Sequence, residues 1–275
     1  MEDFMAKFAL CIGINDYPGT GSDLAGCVND VRDWSALLQK KEFAVSKIID
    51  KQATGKNIRS AIESTIGKAK SGDIVVIQYS GHGSYVPDEN GDEPDGTDEC
   101  ICPYDINSKG PITDDELFEL YSGKQTGVKL LVISDSCHSG TVAKFAPITT
   151  PPTMKGRGAP ARKVRFLPPA TFLSKRDIGK LGIGRGLRRS NPPGRYAALL
   201  MAGCQDTEYS YDASFQGRPN GAFTFVAIRA LSGLSLKASD KQWYQAIRKA
   251  LPSQQYPQSP NIYGTSRMKA WKTFL

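Results

Sequence analysis

A cysteine and a histidine stand side by side in LLVISDSCHSG (130–140), at Cys137 and His138. A thiol becomes a nucleophile when a nearby base takes its proton. Adjacent side chains leave the backbone in different directions, so His138 is poorly placed to serve Cys137. The chain holds two histidines, and the other lies in YSGHG (79–83) at His82, 55 positions before Cys137. Both motifs follow apolar runs, DIVVIQYS (73–80) and VKLLVISD (128–135). In open α/β sheets, reactive groups gather beyond the carboxyl ends of the strands. Neighbouring strands would therefore bring His82 and Cys137 face to face, and a helix opening at Cys137 would favour its thiolate. Gly81 and Gly83 allow close backbone approach, and the N–H groups of Gly83 and Cys137 could together form an oxyanion hole. Each segment alone also suits a tight turn with a buried thiol; their coincidence at two strand ends favours catalysis.

The elements needed to hold this pair are legible as alternation. AKFALCIGI (6–14) reads as a buried strand and LAGCVNDVRDWSALLQKK (24–41) as an amphipathic helix. A short strand at KIID (47–50) and a helix near 55–70 come next. TDDELFELYSG (113–123) opens with Thr113 as N-cap and two acids in the first turn. AALLMAGC (197–204) reads as a further strand. Continuous apolar strands alternating with helices predict an α/β fold with a mainly parallel sheet covered on both faces. Two stretches break the rhythm: an acidic loop, DENGDEPDGTDE (88–99), and a Pro-, Gly- and Arg-rich segment over 146–195. A connection of that length inside a compact domain is usually functional or disordered.

Composition narrows the classes. The 275 residues are 40% hydrophobic and 23% charged, ordinary values for a globular protein. No window reaches ~18 consecutive apolar residues, so no membrane span is expected. The acids in MEDFMAKFALCIGI argue against a secretory leader, and a cytoplasmic protein with reduced, mostly buried cysteines is expected. The net charge of +7 is local: residues 146–195 carry 12 Lys/Arg against one acid, Asp177, leaving 23 bases and 27 acids elsewhere. Sparse aromatics there (Phe166, Phe172) and the lack of an RNA-binding motif argue against a nucleic-acid partner.

YSGHG (79–83) and DSCHSG (135–140) resemble the His and Cys motifs of the caspase-type cysteine peptidases of family C14, and of metacaspases in particular. GINDYPGTGSDLAGCVNDV (13–31), GDEPDGTDE (91–99) and NGAFTF (220–225) also resemble metacaspase segments. The pentapeptide around the nucleophile of caspases proper is absent. The resemblance implies a caspase-like three-layer sandwich forming a single catalytic domain over 1–275. Within it, a p20-like part (1–145), a basic activation loop (146–195) and a p10-like part (196–275) are expected. It implies Cys137 as nucleophile, His82 as general acid/base, and an acidic S1 pocket from Asp30 and Asp135, lined by Cys27 and Ser80. Two carboxylates would pair with Arg or Lys at P1. Protein or peptide substrates, a monomeric state and a regulatory, stress or cell-death role follow from the same resemblance.

For the chemistry itself no cofactor is required. The resemblance suggests a calcium site from Asp98, Asp114 and Asp115, but Lys144 stands where calcium-dependent members carry an acid. The acidic loop matches an EF-hand poorly, with Glu93 where a glycine is needed, and Asp114 and Asp115 also suit a helix start. A zinc set of His82, Cys100, Cys102 and His138 fails on spacing. For an Arg/Lys-directed protease the basic segment offers its own cleavage sites. They are Arg157, Arg162, Lys163, Arg165, Lys175, Arg176, Arg185, Arg188, Arg189 and Arg195. The expectation is a zymogen whose loop is cut or displaced, by itself or by an upstream protease. Two rivals are a silent scaffold recruiting an acidic partner through that loop, and a transpeptidase using the same acyl-enzyme.

Overall fold

Seven-residue runs such as KFALCIG and KLLVISD are too short for a stable helix and rich in residues that pack on a pleated surface, and both form strands. The computed structural model describes residues 5–91, 96–137, 162–181, 196–205 and 208–275. In chain order the elements are β1 (Lys7–Gly13), α1 (Cys27–Lys40), β2 (Ala44–Ile49), α2 (Gly55–Gly67), β3 (Ile74–Ser80), β4 (Gly83–Pro87) and β5 (Thr97–Ile101). Then come α3 (Ile106–Lys109), β6 (Ile112–Thr113), α4 (Asp114–Ser122), β7 (Lys129–Asp135), β8 (Lys163–Val164) and α5 (Lys175–Lys180). The last part holds β9 (Leu199–Ala202), β10 (Tyr211–Phe215), β11 (Arg218–Gly221), α6 (Ala222–Ser232), α7 (Asp240–Arg248), β12 (Asn261–Tyr263) and α8 (Ser266–Lys269).

The main sheet has the order β12-β9-β7-β3-β1-β2, parallel throughout except for β12 at one edge. Successive side chains of its inner strands enter opposite cores. Leu10, Ile12, Val75, Ile77, Leu130 and Val132 pack with Ile58, Ile62 and Ile66 of α2. On the other face Ala9, Cys11, Val76, Leu131 and Ile133 meet Val31 and Trp34 of α1, Phe223 of α6 and Trp243 of α7. Trp34 and Trp243 lock edge-to-face at 5.9 Å, and truncating either would cost about 3–5 kcal/mol. The result is the expected three-layer α/β sandwich.

Helix α4 begins where its sequence predicts. Thr113 Oγ1 accepts from the Glu116 amide, and the Glu116 carboxylate accepts from the Thr113 amide, closing a capping box. Two expectations need correction. The stretch 88–99 is not loop throughout: from Thr97 it becomes β5, the middle of a small antiparallel sheet, β4-β5-β6. Within 146–195, residues 162–181 are folded, and β8 joins β10 and β11 in a third sheet. Neither strand has an apolar run of its own; each is stabilised by partners distant in sequence. None of the six cysteines forms a disulfide, and all are buried. Among the described residues no helix is long and apolar enough to cross a membrane.

Candidate active site

Strands β3 and β7 are parallel neighbours with Ser80 opposite Asp135. Two residues past each of these positions lie His82 and Cys137, so sheet register puts the pair at one edge. The turn between β3 and β4 is fixed by tyrosines. The His82 amide donates to the Tyr17 hydroxyl (2.8 Å), and the Tyr79 hydroxyl donates to the His82 carbonyl (2.7 Å). A side chain at Gly81 would strike both hydroxyls.

The imidazole of His82 rests against the Tyr17 ring at 4.6 Å, with Nε2 2.6 Å from the Ser22 carbonyl. A carbonyl only accepts, so Nε2 carries the hydrogen and Nδ1 keeps its lone pair. Nδ1 is buried with no hydrogen-bond partner among the described residues. Burial pushes the imidazole down to about 4, so it is neutral at physiological pH; the Ser22 contact acts in the opposite direction. The Cys137 sulfur accepts the Ser210 amide at 3.0 Å and lies 3.8 Å from the Ser210 carbonyl.

One carbonyl joins the two motifs. The oxygen of Arg165 accepts from Gly83 N at 3.0 Å and from Cys137 N at 3.2 Å. These are the two amides expected to form an oxyanion hole. The backbones approach so closely that a Cβ at Gly83 would overlap the Cys137 carbonyl oxygen. The chain on either side of Arg165 is extended and paired. Val164 lies opposite Tyr211 and Lys163 opposite Asp212, and the Arg165 amide donates to the Ser210 carbonyl (2.8 Å). Beyond it Phe166 bridges Gly83, and the Leu167 amide donates to the Gly83 carbonyl (3.0 Å).

The Arg165 side chain is fully buried among three carboxylates. Nη2 reaches Asp30 at 2.7 Å and Asp212 at 3.1 Å, and Nη1 reaches Asp135 at 3.2 Å and its carbonyl at 3.0 Å. A cluster of this kind survives burial only if its remaining lone pairs are satisfied. Asp30 takes the Gly221 amide (2.9 Å) and Asn220 Nδ2 (3.0 Å). Asp135 takes the hydroxyls of Ser210 (2.6 Å) and Thr224 (2.8 Å), and Asp212 the amides of Ala25 (2.7 Å) and Gly26 (3.0 Å). Burial still raises Asp30 to about 6, with Arg165 opposing and Asp135 reinforcing the rise.

Most of the residues expected from sequence therefore meet here. His82, Gly83, Asp135 and Cys137 come from the ends of β3 and β7, and Asp30 from the first turn of α1. Cys27, one turn before, sits near the guanidinium, and burial lifts its thiol well above the ordinary range. Ser80 is buried at the carboxyl end of β3, but its hydroxyl accepts from Gln78 Nε2 (2.8 Å). Asp212, Ser210 and Thr224 were not foreseen. The one available sign was an acid within the short alternating stretch SYDAS (210–214). Of the ten basic candidates, Arg165 alone among the described residues occupies the acidic cluster. Arg162, Lys163, Lys175 and Arg176 lie elsewhere; Arg157, Arg185, Arg188, Arg189 and Arg195 are outside the described residues, as are His138 and Lys144. Asp98 lies on β5, and Asp114 and Asp115 open α4; among the described residues no three His, Cys, Asp or Glu side chains gather as a metal site.

A buried acidic cluster, two convergent amides and a Cys/His pair at the edge of a mainly parallel sheet point to the class of protein, and the comparisons show it. The metacaspase, peptidase C14 domain family matches residues 7–146. Metacaspase-7 of Arabidopsis thaliana is 49% identical over 146 residues, covering 50% of this chain and 35% of that protein. Metacaspase-1 of Mycosarcoma maydis is 30% identical over 282 residues, 92% of this chain and 69% of that protein. A solved Geobacter sulfurreducens protein superposes with a TM-score of 0.71 at 30% identity, covering 98% of both chains. Caspase-1 of Spodoptera frugiperda shares the fold, with a TM-score of 0.59 at 11% identity over 94% of this chain and 86% of its own. The chain belongs to the metacaspases. It spans about a third of the length of the plant members it matches.

Proposed function

We propose that this chain is a cysteine endopeptidase cleaving after Arg or Lys, held in a self-blocked state by residues 162–167. The observation carrying this is the placement of Arg165, with its carbonyl on the Gly83 and Cys137 amides and its guanidinium on Asp30, Asp135 and Asp212. This placement supports reading Arg165 as a residue in the P1 position.

In the proposed reaction Cys137 gives its proton to His82 Nδ1, and sulfur attacks the P1 carbonyl carbon. The oxygen, now negative, is stabilised by the two amides, worth about 10²–10³ in rate per donor. His82 passes the proton to the departing amine as the C–N bond breaks, leaving a thioester. It then takes a proton from water, which releases the P1 carboxylate and restores the thiol. Ser22 keeps the imidazole in the required tautomer. The three acids select a cationic P1, because a neutral side chain would leave them buried and unpaired. The fork of Arg reaches all three, whereas Lys offers a point charge.

The test is turnover of a fluorogenic peptide with Arg at P1, by the full chain before and after nicking of the 146–195 segment, with and without Ca²⁺. Expected are strong activation on nicking and no activity in Cys137→Ala. Absence of turnover after nicking would sink the peptidase reading. Transfer to an added amine acceptor in preference to water would favour the transpeptidase.

A further inference from the structure

We propose that Tyr211 and Tyr256 form a second cation subsite that selects arginine at the fourth position before the cleaved bond. This rests on the reading of the cleft as a substrate channel, in which Arg165 marks P1 and Arg162 therefore marks P4. The antiparallel pairing of β8 with β10 fixes the geometry. Val164 faces Tyr211 across the ladder, and Arg162, two residues away, leaves on the same face.

The guanidinium carbon of Arg162 lies 5.7 Å from the Tyr211 ring centre and 5.8 Å from that of Tyr256. The rings are 6.3 Å apart at 49°, so the cation sits between two tilted π faces. Nε and Nη1 of Arg162 are buried with no hydrogen-bond partner among the described residues. No salt bridge to Arg162 is seen among the described residues, so ring quadrupoles supply the attraction. Tyr256 is braced behind by Phe215 at 5.3 Å, which itself stacks on Phe225 at 4.0 Å and 6°. The wall is thus backed by a second pair of aromatic rings.

The two cation subsites differ in chemistry. The P1 site offers carboxylates and tolerates any cation of suitable reach. Among the described residues the P4 site offers π faces and desolvation, and favours the weakly hydrated guanidinium over ammonium, and either over a neutral chain. Preferred substrates would carry Arg-x-x-Arg, with an apolar residue at the position of Val164, which belongs to the same buried apolar cluster as Tyr211, Tyr256 and Leu251.

Binding of labelled hexapeptides to a Cys137→Ala, Arg165→Ala full chain provides the first measurement. Arg-Lys-Val-Arg-Phe-Leu should bind roughly five- to thirtyfold tighter than the same peptide with norleucine first. Tyr256→Leu should abolish that preference. Equal affinities would overturn the subsite alone, whereas failure of both peptides to bind would overturn the substrate-channel reading beneath it. A second measurement leaves the P1 contact intact. Backbone hydrogen exchange over 163–167 should quicken in Arg162→Met and in Tyr256→Leu. The double variant should exchange no faster than the faster single one, since both remove one contact. Additive effects, or unchanged exchange in either single variant, would overturn the subsite.

Discussion

At His82 a single ring serves two states. Its Nε2 is engaged by Ser22, while Nδ1 is buried with no hydrogen-bond partner among the described residues, as suits a base that takes a thiol proton. Burial that lowers an imidazole from 6.5 to about 4 couples folding to pH. Below pH 6.5 the unfolded chain binds a proton that the folded chain refuses, so this group removes stability as pH falls towards 4. Asp30, raised from 3.8 to about 6, acts in reverse over much of the same window, because the folded chain binds its proton more tightly. The His82→Gln variant should therefore gain in Tm relative to wild type as pH is lowered from 6.5 to 4. Parallel melting curves across that range would show that the imidazole is not buried as described. His82, Cys137 and two of the three acids were legible because strand ends and motif resemblance converge on them. Asp212 was not. It lies 77 positions beyond Asp135 on a five-residue strand, and nothing local shows that its carboxylate turns inward.

At the level of elements, the decisive relation is the register of β3 against β7. It sets Gly83 beside Cys137 and aims both amides at one point. Gly83→Ala should push the two backbones apart, since its methyl would overlap the Cys137 carbonyl oxygen. A loss of about 10²–10³ in kcat/KM is expected on an Arg-P1 peptide. Activity close to wild type would mean that the two amides do not act together. Periodicity disclosed these strands because each is an unbroken apolar run buried on both sides. It could not disclose β5 or β8. The first follows a polar, acidic stretch, and the second is two residues long and exists through its ladder with β10. Sequence shows what an element prefers by itself; these two take their form from what they touch.

At the scale of the whole molecule, the basic surplus read from 146–195 acquires a structural meaning. One of its arginines offsets part of the charge of three carboxylates contributed by α1, β7 and β10. Replacing that arginine should release the segment. In Arg165→Gln, alkylation of Cys137 by iodoacetamide, followed by mass spectrometry, should be at least tenfold faster than in wild type. Equal rates would show that the segment does not shield the thiol.

If Arg165 occupies the P1 site as proposed, it does so from within the same chain, 28 positions after Cys137, and its competition with a substrate is not between equals. A tethered ligand acts as if present at about millimolar concentration, whatever the protein concentration. A free peptide of identical sequence at micromolar concentration would be outcompeted about a thousandfold. Diluting or concentrating the protein leaves that handicap untouched. Severing the tether, or out-binding it at several subsites together, does not.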